Sequence, residues 1–173
     1  TGYPVYKRAR IGLGYLPQEM SIFKGLSVED NLLSIIETKE FDNHKKYQIL
    51  EELLVEFNIT KIRSSLGVTL SGGERRKVEI ARCIASNPTH ILLDEPFSGI
   101  DPIAIQDLKN LIGYLKQRKI GILITDHNVK DTLDIVDRAY VLYDGKILLK
   151  GNPFEIKNDQ KVKTVYLGKS FST

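Results

Sequence analysis

Ile91-Leu92-Leu93-Asp94-Glu95-Pro96 is a short apolar run that ends in two adjacent carboxylates and a proline. A run of this kind reads as a buried parallel strand. The carboxyl ends of such strands are where α/β proteins gather ligands. Successive side chains of an extended strand point opposite ways. A turn directly after Asp94 would let Asp94 and Glu95 reach different targets in one site. Asp94 then suits the shell of a Mg²⁺ ion, and Glu95 suits orienting or deprotonating a water. Two solvated acids at a strand end would give the same letters.

The neighbouring sequence extends the α/β reading. Ile120-Gly121-Ile122-Leu123-Ile124-Thr125 is a second apolar run, expected to be another buried parallel strand. Between the two runs, Asp101-Pro102 opens a helix with apolar Ile105, Leu108, Leu111, Ile112 and Leu115. Upstream, Ile11 to Gln18 reads as a short strand stopped by Pro17. From Ser21 to about Pro88 the period is helical. Ser27 to Asp30 caps a first helix, Phe41 to Lys46 reads as a loop, and Tyr47, Leu50, Leu53, Leu54 and Phe57 form the stripe of a second. A third helix is expected from Ser71 to about Ser86. Downstream, Tyr140 to Leu149 reads as a hairpin on an Asp144-Gly145 type I′ turn, and Asn152-Pro153 caps a short helix. A polar tail follows from about Lys157.

Composition excludes several classes. The 173 residues carry 25 Lys and Arg against 22 Asp and Glu, a formal charge of +3, too mild to argue for nucleic acid. Hydrophobic content of 42% excludes a disordered or collagenous chain. The single cysteine, Cys83, excludes an intrachain disulfide and is expected in the core of the third helix. No run approaches the roughly 18 apolar residues of a membrane span. Tyr3, Tyr6, Lys7, Arg8 and Arg10 read as a solvated basic face, and His44 and His90 as surface residues.

Leu70-Ser71-Gly72-Gly73-Glu74-Arg75-Arg76 carries the second signal. Ser71 and Glu74 have the spacing of a capping box. Gly72 and Gly73 leave first-turn N–H groups uncovered at the positive helix end, where a phosphate can approach. Each glycine costs up to about 1 kcal/mol against Ala in a helix. A bare capped helix does not account for that cost; an anion site does.

These two segments together resemble the nucleotide-binding subunit of ATP-binding-cassette (ABC) transporters. Other motifs of that family follow in order. Gln18 matches the Q-loop glutamine, which contacts Mg²⁺ or the attacking water. Ser98-Gly99-Ile100-Asp101 matches the D-loop, and His127 matches the switch histidine that contacts the γ-phosphate. The resemblance implies an α/β fold: a partial P-loop NTPase (RecA-like) core with parallel strands and an inserted α-helical subdomain. The expected segments are 1–20, the core up to the Q-loop; 21–90, the helical subdomain; and 91–173, the remaining core. It implies ATP and Mg²⁺ as cofactors, with Asp94 and Gln18 at the metal and Glu95, His127 and Gln18 catalytic. It also implies that Ser71, Gly72, Gly73 and Asp101 bind nucleotide, and a head-to-tail dimer in which Ser71 and Gly73 serve the nucleotide bound by the other copy. Membrane permease subunits would dock near Gln18 and Phe23, with Leu26 as further lining, although core packing accounts for both residues equally well.

No Gly-x-x-x-x-Gly-Lys-[Ser/Thr] occurs. Gly168-Lys169-Ser170 has Lys163 where the first glycine belongs and reads as a chance tripeptide. The resemblance puts the phosphate loop upstream of the Q-loop. The chain, which begins without Met, is therefore expected to be a carboxyl-terminal fragment that binds ATP weakly by itself.

Gly14 to Glu19, Ser21 to Phe23, Glu74 to Arg82, Thr125 to Val129 and Val162 to Gly168 are similar to ATPases of bacterial lipopolysaccharide-export transporters. That similarity implies a subunit at the cytoplasmic face of the inner membrane, with no lipid site of its own and no nucleic-acid partner. Branched-chain amino-acid importers share the Tyr-Leu-Gly ending and are the alternative. Superfamily members that act on DNA carry a long insertion between Q-loop and signature; only 53 positions separate Gln18 from Ser71 here.

Overall fold

The computed structural model describes residues 2–39 and 41–167. Gly168-Lys169-Ser170 and the final glycine of the Val162 to Gly168 stretch lie outside the described residues. The chain forms two compact units, residues 1–125 and 126–173.

The first unit is built on a three-stranded parallel sheet, in the order β1 (Leu13–Leu16), β2 (His90–Asp94), β3 (Gly121–Thr125). All three strands run the same way, so their carboxyl ends share one edge. The register sets Leu16 beside Leu93 and Asp94 beside Thr125. Ile91 and Leu93 are buried, as the apolar run requires. The expectation of burial fails for β3. Leu123 is 59% exposed, as is 57% of Tyr15 on β1. These residues share the parity of Leu92, and the pleat sends that face to solvent while Gly14, Leu16, Ile91 and Leu93 face inward.

Between β1 and β2 lies a helical layer: α2 (Val28–Ile36), α3 (Asn43–Glu56), two short 3₁₀ turns and α4 (Gly72–Ala85), preceded at the amino end by α1 (Val5–Arg10). Leu32, Ile36, Leu50, Leu54, Val78 and Ile80 are buried where α2, α3 and α4 meet. Ser27 caps α2 by accepting from the Asp30 N–H. The loop expected through Lys46 ends sooner, because Asp42 accepts from the Lys45 N–H and starts α3 at Asn43. Tyr47, expected in the apolar stripe, is exposed. The stripe therefore begins at Leu50. Helix α1 buries no residue, in keeping with a solvated basic face. After β2, α5 (Pro102–Gln117) turns Leu108, Ile112 and Leu115 inward.

The second unit holds α6 (Val129–Leu133), the antiparallel pair β4 (Ala139–Tyr143) and β5 (Lys146–Gly151), α7 (Pro153–Asn158) and α8 (Gln160–Val162). Asp144 and Gly145 have φ of 47° and 71°, the left-handed pair that a type I′ turn needs. Leu133, Ile156 and Val162 form its core. The polar tail continues as α8, because Asp159 accepts from the Lys161 and Val162 N–H groups and caps it.

Candidate active site

The turn after Asp94 is present. Glu95 has φ of 43°, a left-handed backbone that disfavours any residue except glycine. Strain of that kind persists where surrounding structure fixes it. The Glu95 N–H donates to the Thr125 carbonyl at 2.7 Å, and its carbonyl accepts from the Ser98 N–H at 3.1 Å. The side chain is thereby turned toward Gln18, whose Nε2 donates to Glu95 Oε2 at 2.7 Å. Gln18 comes from the segment after β1, so the glutamine and the two acids gather at adjacent strand ends.

Asp94 is held from both sides. Thr125 Oγ1 donates to its Oδ1 at 2.6 Å, and the Tyr15 hydroxyl donates to its Oδ2 at 3.3 Å. Desolvation, followed by the charge of Asp94, raises the Tyr15 phenol above its ordinary pKa. Neither Tyr15 nor Thr125 stands out in the sequence. Their part depends on register, and the parallel pairing of Asp94 with Thr125 is the signal that finds them.

The set suits Mg²⁺ chemically. Asp94 and the Gln18 amide offer hard oxygen atoms. Among the described residues there is no cluster of three or more His, Cys, Asp or Glu able to cage a metal. Mg²⁺ commonly takes one or two carboxylates and completes its shell with water and substrate phosphates.

A second group lies at the start of α4. The capping box is complete: Ser71 Oγ accepts from the Glu74 N–H, while Glu74 Oε2 accepts from the Ser71 N–H at 2.9 Å and from Ser71 Oγ at 2.7 Å. These hydrogen bonds lower the Glu74 pKa, keeping it a carboxylate. A Cβ on Gly72 would meet nothing within 4 Å, so packing does not require that glycine. A Cβ on Gly73 would stand 3.2 Å from the Ala104 Cβ. Close approach to α5 is thus a second reason for Gly73, invisible without the fold. Asp101 caps α5 through the Ile103 and Ala104 N–H groups. Ser71, Gly73 and Asp101 line one cleft of about 220 Å³; Gln18, Asp94 and Glu95 are not among its lining residues.

His127 belongs to the second unit. Its ring is exposed, with Nδ1 at 3.8 Å from Oδ1 of the fully buried Asp126 carboxylate. That same oxygen accepts from the Asn128 N–H at 2.7 Å, and Asn128 caps α6. Phe23 and Leu26 are exposed on the segment after Gln18, against the core-packing alternative. His44 and His90 are exposed as expected.

A parallel sheet whose strand ends gather a glutamine and two acids, with a helical layer whose last helix starts on a glycine-rich capping box, fits an ATP-binding-cassette protein. The ABC transporter family model matches residues 3–98. A probable ABC transporter ATP-binding protein of Azorhizobium caulinodans is 53% identical over 99% of this chain and 61% of its own length. The lipopolysaccharide export system ATP-binding protein LptB of Haemophilus influenzae is 52% identical over 97% of this chain and 70% of its own. A solved ABC-transporter cassette in its ADP conformation superposes with a TM-score of 0.80 at 25% identity, covering 98% of this chain and 73% of that one. The chain belongs to the ABC transporter family. It spans 61% and 70% of the two curated relatives just named.

Proposed function

We propose that this chain is the larger part of the ATP-binding and ATP-hydrolysing subunit of an ABC transporter. The observation that carries the reading is the Gln18 to Glu95 hydrogen bond at the strand ends, beside the doubly held Asp94. Phosphoryl transfer asks little covalent chemistry of a protein; positioning and charge do most of the work. Glu95 accepts the proton of an attacking water, and Gln18 orients both. Asp94 with Gln18 would hold Mg²⁺, which supplies positive charge to the phosphates when bound. The family motif gives His127 the role of the switch histidine, the group that would contact the γ-phosphate. Ser71, Gly72, Gly73 and Asp101 bind nucleotide, Ser71 and Gly73 that of a second copy, so the working form is a head-to-tail dimer.

The transported compound is lipopolysaccharide. Supporting this are the identity of about half to relatives that bear that name and the shared stretches around the Q-loop, signature and switch. The permease subunits dock at exposed Phe23 and Leu26 and hold the chain at the cytoplasmic face of the inner membrane. No described helix is long and apolar enough to cross a membrane. The lipid is handled by those permeases, and no nucleic acid is a partner.

Two experiments test this. ATP turnover of residues 1–173 is compared with that of the full-length protein; no turnover by the full-length protein would refute the reading, and equal, robust turnover in both would refute the expectation that residues 1–173 hydrolyse little by themselves. A bacterium depleted of its own lipopolysaccharide-export ATPase is then given the full-length gene. Growth supports the substrate assignment, and lack of growth despite normal ATPase activity and permease co-purification rules it out.

A further inference from the structure

Three charged side chains of α4 bind the backbone of the segment that carries Gln18. Arg76 Nη1 donates to the Pro17 carbonyl at 3.2 Å, Glu79 Oε1 accepts from the Ser21 N–H at 2.8 Å, and Arg82 Nη1 donates to the Ser21 carbonyl at 2.5 Å. The spacing of three residues puts all three on one broad face of the helix. Pro17 and Ser21 bracket Gln18 on either side. Arg76 and Glu79 also pair with each other at 3.1 Å, and both are buried, with relative exposures of 8% and 4%. The pair is costly. Arg76 Nε and Nη2 are buried with no hydrogen-bond partner among the described residues. Each such group costs about 1–3 kcal/mol, and buried ion pairs are commonly no more stabilising than apolar residues of the same volume. Stability does not account for them; holding the Gln18 segment does.

We propose that Glu79, paired with Arg76, is a positioning residue for ATP hydrolysis: it fixes the backbone on both sides of Gln18 to the helix that begins at Ser71, so that the Gln18 amide reaches Glu95. This rests on the ATPase reading above. The glutamine and the glycine-opened helix start then move as one body. Glu79 touches neither nucleotide nor Glu95 and acts through Gln18.

The test is a double-mutant cycle in the full-length protein. The clamp is removed with Arg76→Met plus Glu79→Leu, a volume-conserving swap expected to keep or raise Tm. Arg76→Leu plus Glu79→Met, which likewise leaves no acceptor for the Ser21 N–H, serves if that variant does not fold. The clamp variant and Gln18→Ala are each expected to lower kcat by about 10- to 100-fold, the scale of a misplaced group, with KM for ATP changed less than kcat. Combined, they should lower kcat no further than Gln18→Ala alone. Hydrogen exchange at the Ser21 amide should accelerate in the clamp variant while α4 stays protected. Multiplying losses, an unchanged kcat in the clamp variant, or an unchanged kcat in Gln18→Ala would each overturn the proposal. Glu95→Gln is run beside them. Normal turnover there removes Glu95 from the general-base role on which the proposal rests; its loss together with multiplying effects sinks only the clamp.

Discussion

Gln18 Nε2 lies 2.7 Å from Glu95 Oε2, although 77 residues separate the two in the chain. The left-handed backbone of Glu95 and the proline stop before Gln18 aim both side chains at the same point beyond the sheet. Parallel strands make this meeting possible, because they end together.

Thr125→Val removes the shorter of the two hydrogen bonds that orient Asp94. Partners of metal-binding groups are commonly worth about 10- to 100-fold in metal affinity. The Mg²⁺ concentration that half-saturates Mg²⁺-dependent ATP binding should rise by about 10-fold. An unchanged Mg²⁺ dependence would separate Asp94 from the metal.

Ser71→Ala deletes the cap of α4, which costs about 0.5–2 kcal/mol in urea unfolding. It should also abolish ATP-driven dimerisation, followed by light scattering in the full-length protein. A loss of stability with normal dimerisation would leave Ser71 a cap and nothing more.

Gly14→Ala places a Cβ 2.5 Å from Cys83 Sγ. Such overpacking typically costs 1–3 kcal/mol, roughly. Adding Cys83→Ala should restore most of the loss. Two losses that simply add would contradict the contact.

Burial pushes the Cys83 thiol up to about 11, opposed in part by a backbone hydrogen bond with Tyr15. In the unfolded chain the thiol ionises at lower pH. Between the two pKa values the unfolded state has lost a proton that the folded state keeps, so stability falls as pH rises. The window runs from about pH 9 to 11, and the full loss approaches roughly 3 kcal/mol. Below it the thiol contributes no slope. Unfolding of wild type and Cys83→Ala across this range should diverge by that amount. Parallel curves would place the thiol in solvent.

The motif residues were legible because their chemistry is local. Ser71 and Glu74 cap their own helix, Asp101 caps the next, and an apolar run names its own strand. What could not be read depends on neighbours distant in sequence. Thr125 meets Asp94 only through strand register, and Gly73 meets Ala104 only once α4 lies on α5. Glu79 and Arg76 look like ordinary helix-surface charges until they are seen buried on the Gln18 segment. Leu123 looked like core because its run is apolar on both faces, and periodicity in such a run does not tell which face is covered.

The most direct measurement is single-turnover ATP hydrolysis by the full-length protein with Glu95→Gln. The substitution keeps the side chain's shape and removes its basicity. ATP should bind with near-normal affinity while hydrolysis slows by roughly 10²- to 10⁴-fold, the usual range for a lost general base. Hydrolysis at the unaltered rate would contradict the account.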